Sequence, residues 1–276
     1  MDSTLSTHRF KESLNFLLAR TPSWYAKILK SHKNCNFEKV AFLNLVQNND
    51  IVVEAGANRG YYTLLFSHIV GKNGEVHGFE PVPPTFKQLS RHLARNQVFD
   101  NIHLNNLAVG DCTQKVNIHQ PDDDDGQSSL VIHSHGSWAN RKTLTRYECN
   151  MTKLDDYTRN HLPNKLDFIK CDIEGAELLF LKGATETLKR YHPMIYLEVC
   201  YQWTKDFDYE PKDIIEFLRP LGYSHFYWVD RQLQMLNNPE RDLARDRLPE
   251  SANLLCLMSK KHSSQIHRWG ETSKFV

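Results

Sequence analysis

Nothing in this sequence of 276 residues resembles a membrane span: no apolar run approaches the ~20 residues that crossing a bilayer requires. The opening stretch, MDSTLSTHRFKESLNF, also lacks the basic-then-apolar pattern of a secretory leader. Charge imbalance is equally missing. The 34 basic and 33 acidic residues leave a net +1, so no global field draws the chain to nucleic acid or to an anionic membrane, and neither is expected as a partner. The six cysteines, at 35, 112, 149, 171, 200 and 256, form no CxxC pair. They read as free thiols in a reducing compartment, and a cytoplasmic location is expected. Glycine is sparse, with 12 residues, and it builds neither G-x-G-x-x-G nor a G-x-x-x-x-G-K-[ST] phosphate loop. There are no internal repeats, and oligomeric state leaves no trace in the sequence.

What remains is an ordinary globular composition, 40% hydrophobic and 24% charged, able to bury a sizeable core. Residues 1–48 read as a helical extension, with Phe10, Leu14, Leu17 and Leu18 at helical spacing before Trp24 and Tyr25. Strand-like and helix-like segments then alternate from 49 to 260. Ile51–Ala55 is a short apolar run, followed by a helix face of Tyr62, Leu65, Phe66 and Ile69. Glu75–Glu80 is a second strand, and Pro81, Pro83 and Pro84 open a helix with Phe86, Leu89 and Leu93 on its core face. Further strands are predicted at Ile102–Val109, Leu166–Asp172, Met194–Val199, Ser224–Val229 and Asn253–Ser259. Helices are predicted on Ala176, Leu179, Phe180, Gly183, Ala184 and Leu188, and on Ile214, Phe217, Leu218 and Leu221. This rhythm implies βαβ units and a largely parallel sheet. Residues 115–147 break it, reading as an inserted hairpin or mobile loop over the site, and 261–276 read as a polar tail.

Three features carry chemistry. In EAGANRGYYT, Gly56 allows close backbone approach to a ligand, and Gly60 lets the helix start tight against the strand. Asn58 and Tyr61 stand where a dinucleotide fingerprint needs glycine, so a ligand without a pyrophosphate fits better. Glu80 closes the second strand, where a carboxylate accepts from two ribose hydroxyls. In DFIKCDIEGAE, period two sends Lys170 and Asp172 to one face, with Glu174, Gly175 and Glu177 in the following turn. So many ionisable groups at a strand end are costly unless they bind something.

Together EAGANRGYYT, FEPVPPTFKQL, MTKLDDY, DFIKCDIEGAELLFLKGA and IYLEV resemble the FkbM family of methyltransferases, over roughly 50–198 of the chain. The resemblance implies a Rossmann-like class I methyltransferase fold, a mostly parallel seven-stranded sheet with helices on both faces and a final antiparallel strand. It also implies S-adenosylmethionine as methyl donor and O-methylation of a sugar, glycan or secondary metabolite. Glu54 departs from the aspartate more usual in the family. The expected cofactor contacts are Glu54, Gly56, Ala57, Asn58, Gly60, Tyr61 and Thr63 at the first turn, Glu80 and Pro81, Ala108, and Asp172. Glu54 is expected to meet the cofactor's cationic amino-acid end.

For catalysis the expected group is Asp172 and Glu174 facing methyl and acceptor, with Lys170 and Glu177 orienting them. Methyl transfer needs alignment of acceptor, methyl and sulfur, and a hydroxyl acceptor gains from a base. The acceptor is read as a small molecule, glycan or peptide. The alternatives are N-methylation of a peptide or amide side chain and, from another class, a nucleotide-binding oxidoreductase. No metal is expected: His119, His133, His135 and Asp122–Asp125 have generic spacing and read as a solvated loop. Tyr201, Trp203, Tyr227 and Trp228 read mainly as filling of the C-terminal part.

Overall fold

The computed structural model describes residues 18–22, 24, 25, 27, 37–96, 99–122, 124, 126–135, 138, 143–162, 164–229, 233–243 and 252–272. Phe10, Leu14, Leu17 and Cys35 lie outside the described residues. The strands are β1 (Ile51–Ala55), β2 (Glu75–Phe79), β3 (Ile102–Asn105), β4 (Ala108–Val109), β5 (Gln114–Pro121) and β6 (Leu144–Thr152), then β7 (Phe168–Cys171), β8 (Met194–Val199), β9 (His225–Val229), β10 (Leu233–Met235) and β11 (Ala252–Leu257). The helices that matter below are α1 (Phe37–Leu45), α2 (Tyr61–Val70), α3 (Pro83–Asn96), α4 (Leu154–His161), α5 (Glu177–Lys182), α6 (Thr185–Tyr191) and α7 (Tyr201–Thr204).

The main sheet has the order β10-β9-β11-β8-β7-β1-β2-β3. Its central pairs are parallel, and β11 runs antiparallel between β8 and β9. This is the expected Rossmann-like sheet with its antiparallel strand, but with eight strands instead of seven. The extra one is the three-residue β10, which hydrogen-bonds along the free edge of β9.

Alternate residues face opposite layers, so strands buried on both sides read as continuous apolar runs. Val53, Ala55, Ile169, Cys171, Ile195 and Leu197 pack on one face with Leu154, Phe180 and Leu188. Val52, Phe168, Met194 and Tyr196 pack on the other with Phe42 and Phe66. Four rings lie edge-on around Phe42: Tyr62, Phe66, Phe168 and Tyr196, at centroid distances of 4.7–5.9 Å.

Local pattern failed to set the element ends at four places. The third strand breaks at Asn106, whose amide donates to the Glu80 and Pro81 carbonyls; Ala108–Val109 then pairs with β6 in a second, three-stranded sheet. The helix predicted across 176–188 splits into α5 and α6. The Gly183 carbonyl accepts from Asp155 N–H at the break, and the Asp155 carboxylate caps the second helix through Glu186 and Thr187 N–H. Strands β5 and β6 pair antiparallel as the arms of a hairpin, from Gln114↔Met151 to Pro121↔Leu144. The tail forms a helix over Ser263–Thr272, with Ile266 packed on the core; buried His262 accepts from Met258 N–H just before it.

Candidate functional site

A cavity of about 400 Å³ lies beyond the carboxyl ends of β1, β2, β7 and β8, the place where doubly wound sheets bind ligands. The first turn is strapped over the end of β2, because Gly56 and Ala57 both donate N–H to the Phe79 carbonyl, at 3.0 and 2.9 Å. Gly56 has φ +83°, and a Cβ there would sit 2.0 Å from the Asp172 carbonyl oxygen. Its glycine is therefore demanded by the neighbouring backbone as well as by the cavity it lines. Gly60, at φ +86°, was expected to seat α2 against its strand. It instead seats it against α3, where a Cβ would meet Leu89 Cδ1 at 2.5 Å.

Glu80 is buried at the cavity wall. Its oxygens accept from Asn58 N–H (3.0 Å) and Val82 N–H (2.9 Å), tying the glycine turn to the proline turn. Beside it Phe79, Pro81, Leu107, Ala108 and Val109 provide an apolar wall. These residues suit an adenosine, with a carboxylate for the ribose diol and a slot for the base.

Part of the cavity lining is acidic. Asp124, Asp172, Glu174 and Glu198 all line the cavity, together with Trp203. Glu174 sits in a left-handed conformation, φ +57°, which is uncommon outside glycine and asparagine and clusters at functional turns. One of its carboxyl oxygens is buried with no hydrogen-bond partner. Burial, and then the charges of Asp172, Glu198, Glu177 and Asp124, push this carboxyl well above the ordinary glutamate value. For Asp172 burial acts upward too, but Lys170 and a hydrogen bond with Glu198 outweigh it and hold the group below its usual value.

Of the expected residues, the structure brings Gly56, Asn58, Glu80, Pro81, Ala108, Asp172 and Glu174 together at this wall. The others stand behind it. Glu54 is buried and accepts from Thr63 Oγ1 at 2.6 Å; burial pushes its carboxyl up to about 7, against the pull of Lys170. Tyr61 bonds Tyr25 through the hydroxyls (2.9 Å), and Ala57 packs with Leu64 and Leu89. Lys170, 2% exposed, donates to Asp172 Oδ2 at 2.9 Å and lies over the Tyr62 ring. Burial alone would lower this ammonium, yet Asp172, Glu54 and Glu38 hold it above the ordinary lysine value. These contacts favour its cationic form. Glu177 accepts from Ile173 and Gly175 N–H and from Tyr209 Oη, so it knits the turn that carries Glu174.

The segment read as a hairpin or mobile loop over the site contributes residues to the cavity wall that the sequence did not single out. Gly126, Gln127, Ser128 and Leu130 line the cavity, and only the position of this polar segment hinted at it. His133, read as part of a solvated loop, is buried and bonded to Asp206. Trp203, read as filling, reaches the cavity wall. Among the described residues one trio has metal-ligand spacing, Glu75, His77 and His103, near the start of β2 and away from the cavity. His77 already bonds Glu75 (3.1 Å) and Tyr157 (2.8 Å), and burial holds it down at about 4.

The family model for the FkbM methyltransferase domain matches residues 54–224. The chain belongs to the FkbM methyltransferase family. The methyltransferase sdnD of Sordaria araneosa is 26% identical over 161 residues, which cover 50% of this chain and 62% of that protein. Methyltransferase 1 of Beauveria bassiana is 21% identical over 198 residues, covering 67% and 79%. Among solved structures, an FkbM methyltransferase from Methylobacillus flagellatus has 16% identity and a TM-score of 0.47, covering 83% of this chain and 57% of its own. Fibrillarin of Aeropyrum pernix, solved with S-adenosyl-L-methionine bound, has 14% identity and a TM-score of 0.44, covering 87% and 76%. The donor implied by membership in the FkbM family is S-adenosylmethionine, and a cavity with an apolar wall, the buried Glu80 carboxylate and further carboxyl groups suits it.

Proposed function

We propose that this FkbM methyltransferase uses S-adenosylmethionine to methylate a hydroxyl of a sugar, glycan or secondary metabolite, with Glu174 as the base. When bound, the cofactor supplies an electrophilic methyl on a sulfonium. Glu80 would hold the ribose and the wall from Leu107 to Val109 the adenine, while Gly56 and Asn58 border the amino-acid end. Asp172, kept ionised by Lys170, would face the cofactor's positive charge.

The observation that carries the reading is Glu174, whose buried carboxyl oxygen has no protein partner at the cavity wall. Buried polar atoms are normally satisfied, so this oxygen is the group left for an acceptor's proton. Burial and the neighbouring carboxylates make it hold a proton more tightly than an ordinary glutamate, which is the direction a general base requires. The four carboxyl groups favour a second reading, an acceptor with a basic nitrogen.

The test is transfer of labelled methyl from S-adenosylmethionine to acceptor libraries, with mass spectrometry of the product, followed by single-turnover kinetics. Glu174→Gln should slow transfer about 10²–10⁴-fold with cofactor affinity little changed. Near-normal transfer moves the base to Asp172 or Glu198.

A further inference from the structure

The imidazole of His133 is shut away from water, with a side-chain exposure of 0%. Its Nδ1 lies 2.7 Å from Asp206 Oδ2, and its Nε2 lies 3.0 Å from the backbone carbonyl of Glu174. Both partners are acceptors. A neutral imidazole has one N–H and one lone pair, so either tautomer would aim a lone pair at an oxygen. At Nε2 that oxygen is a carbonyl, which can only accept. Both contacts are hydrogen bonds only when each nitrogen bears a proton, or when Asp206 shares one with Nδ1. The ring is clamped as well, stacked on Trp203 (5.4 Å between centroids, 27°) and edge-on to Trp138 (5.2 Å, 88°), with Phe207 beside it. Among the described residues, the titratable residues bonded to the ring are Asp206 and Glu174.

His133 also stands at a junction. It belongs to the strap whose residues Gly126, Gln127, Ser128 and Leu130 line the cavity. Asp206 follows α7, and Glu174 belongs to the turn after β7. The Glu174 carbonyl takes a second bond from the same strap, Ser129 Oγ at 3.1 Å, and Ser129 is itself bridged to His119 of β5. The strap therefore grips the backbone of the residue whose side chain faces the cavity.

We propose that His133 is a positioning residue: as a doubly protonated ring it ties the strap to Asp206 and to the Glu174 carbonyl, and so fixes the Glu174 carboxyl at the cavity wall. The catalytic part of this rests on the reading of Glu174 as the base; the tie itself does not. Without it, the strained turn keeps Ser129 on the Glu174 carbonyl, the Glu177 side chain on the Ile173 and Gly175 N–H groups, and Tyr209 Oη on the Gly175 carbonyl, and none of these ties it to Asp206.

The experiment uses the full chain. In the wild type labelled with ¹⁵N-histidine at pH 7, one ring should show both nitrogens in the protonated range, and that signal should vanish in His133→Gln. In Asp206→Asn the same ring should revert to a neutral tautomer. Hydrogen exchange at residues 126–131 and 174–176 should rise at least ~10-fold in His133→Gly and Asp206→Asn, the signature of local opening. Exchange in β1, β7 and β8 should not change. Added imidazole should restore slow exchange in His133→Gly, which a merely structural hole would not require. Where transfer can be followed, kcat should fall about 100-fold, as misplaced reacting groups do, with KM for S-adenosylmethionine less affected. A single neutral tautomer in the wild type, or wild-type exchange in both variants, overturns the proposal. Normal transfer in Glu174→Gln together with the expected exchange would refute only the base assignment and leave the tie standing.

Discussion

Lys170→Met is the most informative single change to the core of this protein. Methionine nearly preserves the stem and removes the charge. In the wild type the ammonium is 2% exposed, 2.9 Å from Asp172 Oδ2, and close enough to Glu54 and Glu38 for both to raise its pKa. Removing one partner of a buried pair typically costs about 3–5 kcal/mol, because the other charge stays behind without compensation. The Asp172 side chain is 32% exposed, so water at the cavity mouth relieves part of this, and the lower end, about 3 kcal/mol, is expected. The sign with pH follows from the same contacts. With Lys170 present, Asp172 sits below its unfolded value and contributes stability above that value, which is lost as pH falls through the folded one. In the variant only the Glu198 hydrogen bond still opposes burial, so the folded value rises and protonation relieves part of the penalty. The deficit should thus be largest near pH 8 and shrink toward pH 5. Urea unfolding followed by circular dichroism at the two pH values, with equal m-values, gives the difference directly. A deficit below ~1 kcal/mol at pH 8, or one that does not vary with pH, would refute the assignment of this cluster as a charge-balanced core.

Three further outcomes follow from the site. Glu54, raised to about 7 from 4.5, takes up a proton on folding between those values, so wild-type stability drops as pH climbs through them. Glu54→Gln does not titrate, and its stability relative to wild type should improve by up to about 3 kcal/mol from pH 4.5 to pH 8; a flat difference in urea midpoints would contradict the burial argument. Glu80→Ala should weaken S-adenosylhomocysteine binding by about 1.5–3 kcal/mol, the worth of hydrogen bonds to a charged group. Calorimetry showing unchanged affinity would place the ribose elsewhere. Gly56→Ala should cost more than ~2 kcal/mol, since strain at positive φ adds to a clash with backbone, and thermal melts matching wild type would argue against the 2.0 Å approach to the Asp172 carbonyl.

The elements that were legible are those whose pattern is local. Ile51–Ala55, Glu75–Phe79, Phe168–Cys171 and Met194–Val199 are short apolar runs, and alternation with helices fixes them as neighbours in a parallel sheet. Once that is fixed, Gly56, Glu80, Asp172 and Glu174 must meet, because each follows a strand at the same end of the sheet. Period two also put Lys170 and Asp172 on one face, but it could not say that this face turns under α1 and α2, where Glu38 and Tyr62 complete the charge cluster. The break between α5 and α6 depends on Asp155, about thirty residues upstream, and no propensity reports such a capping bond made in trans. The strap carries no hydrophobic period, so its role became visible only with His133 in contact with Asp206.

The hairpin has a consequence for how members of this fold can diverge. The chain enters it after Val109 and leaves it through Thr152, and these two positions are paired with each other. An excursion that starts and ends at one place perturbs no strand register in the main sheet, and lengthening it costs little in closure entropy. Its tip nevertheless forms part of the cavity wall. The cavity-lining positions Gly126, Gln127, Ser128 and Leu130 can therefore be rewritten within one contiguous stretch of gene without touching the main sheet, provided that Ser129 and His133 keep their hold on the Glu174 carbonyl; a graft that preserves those two residues is the matching engineering route to an altered pocket.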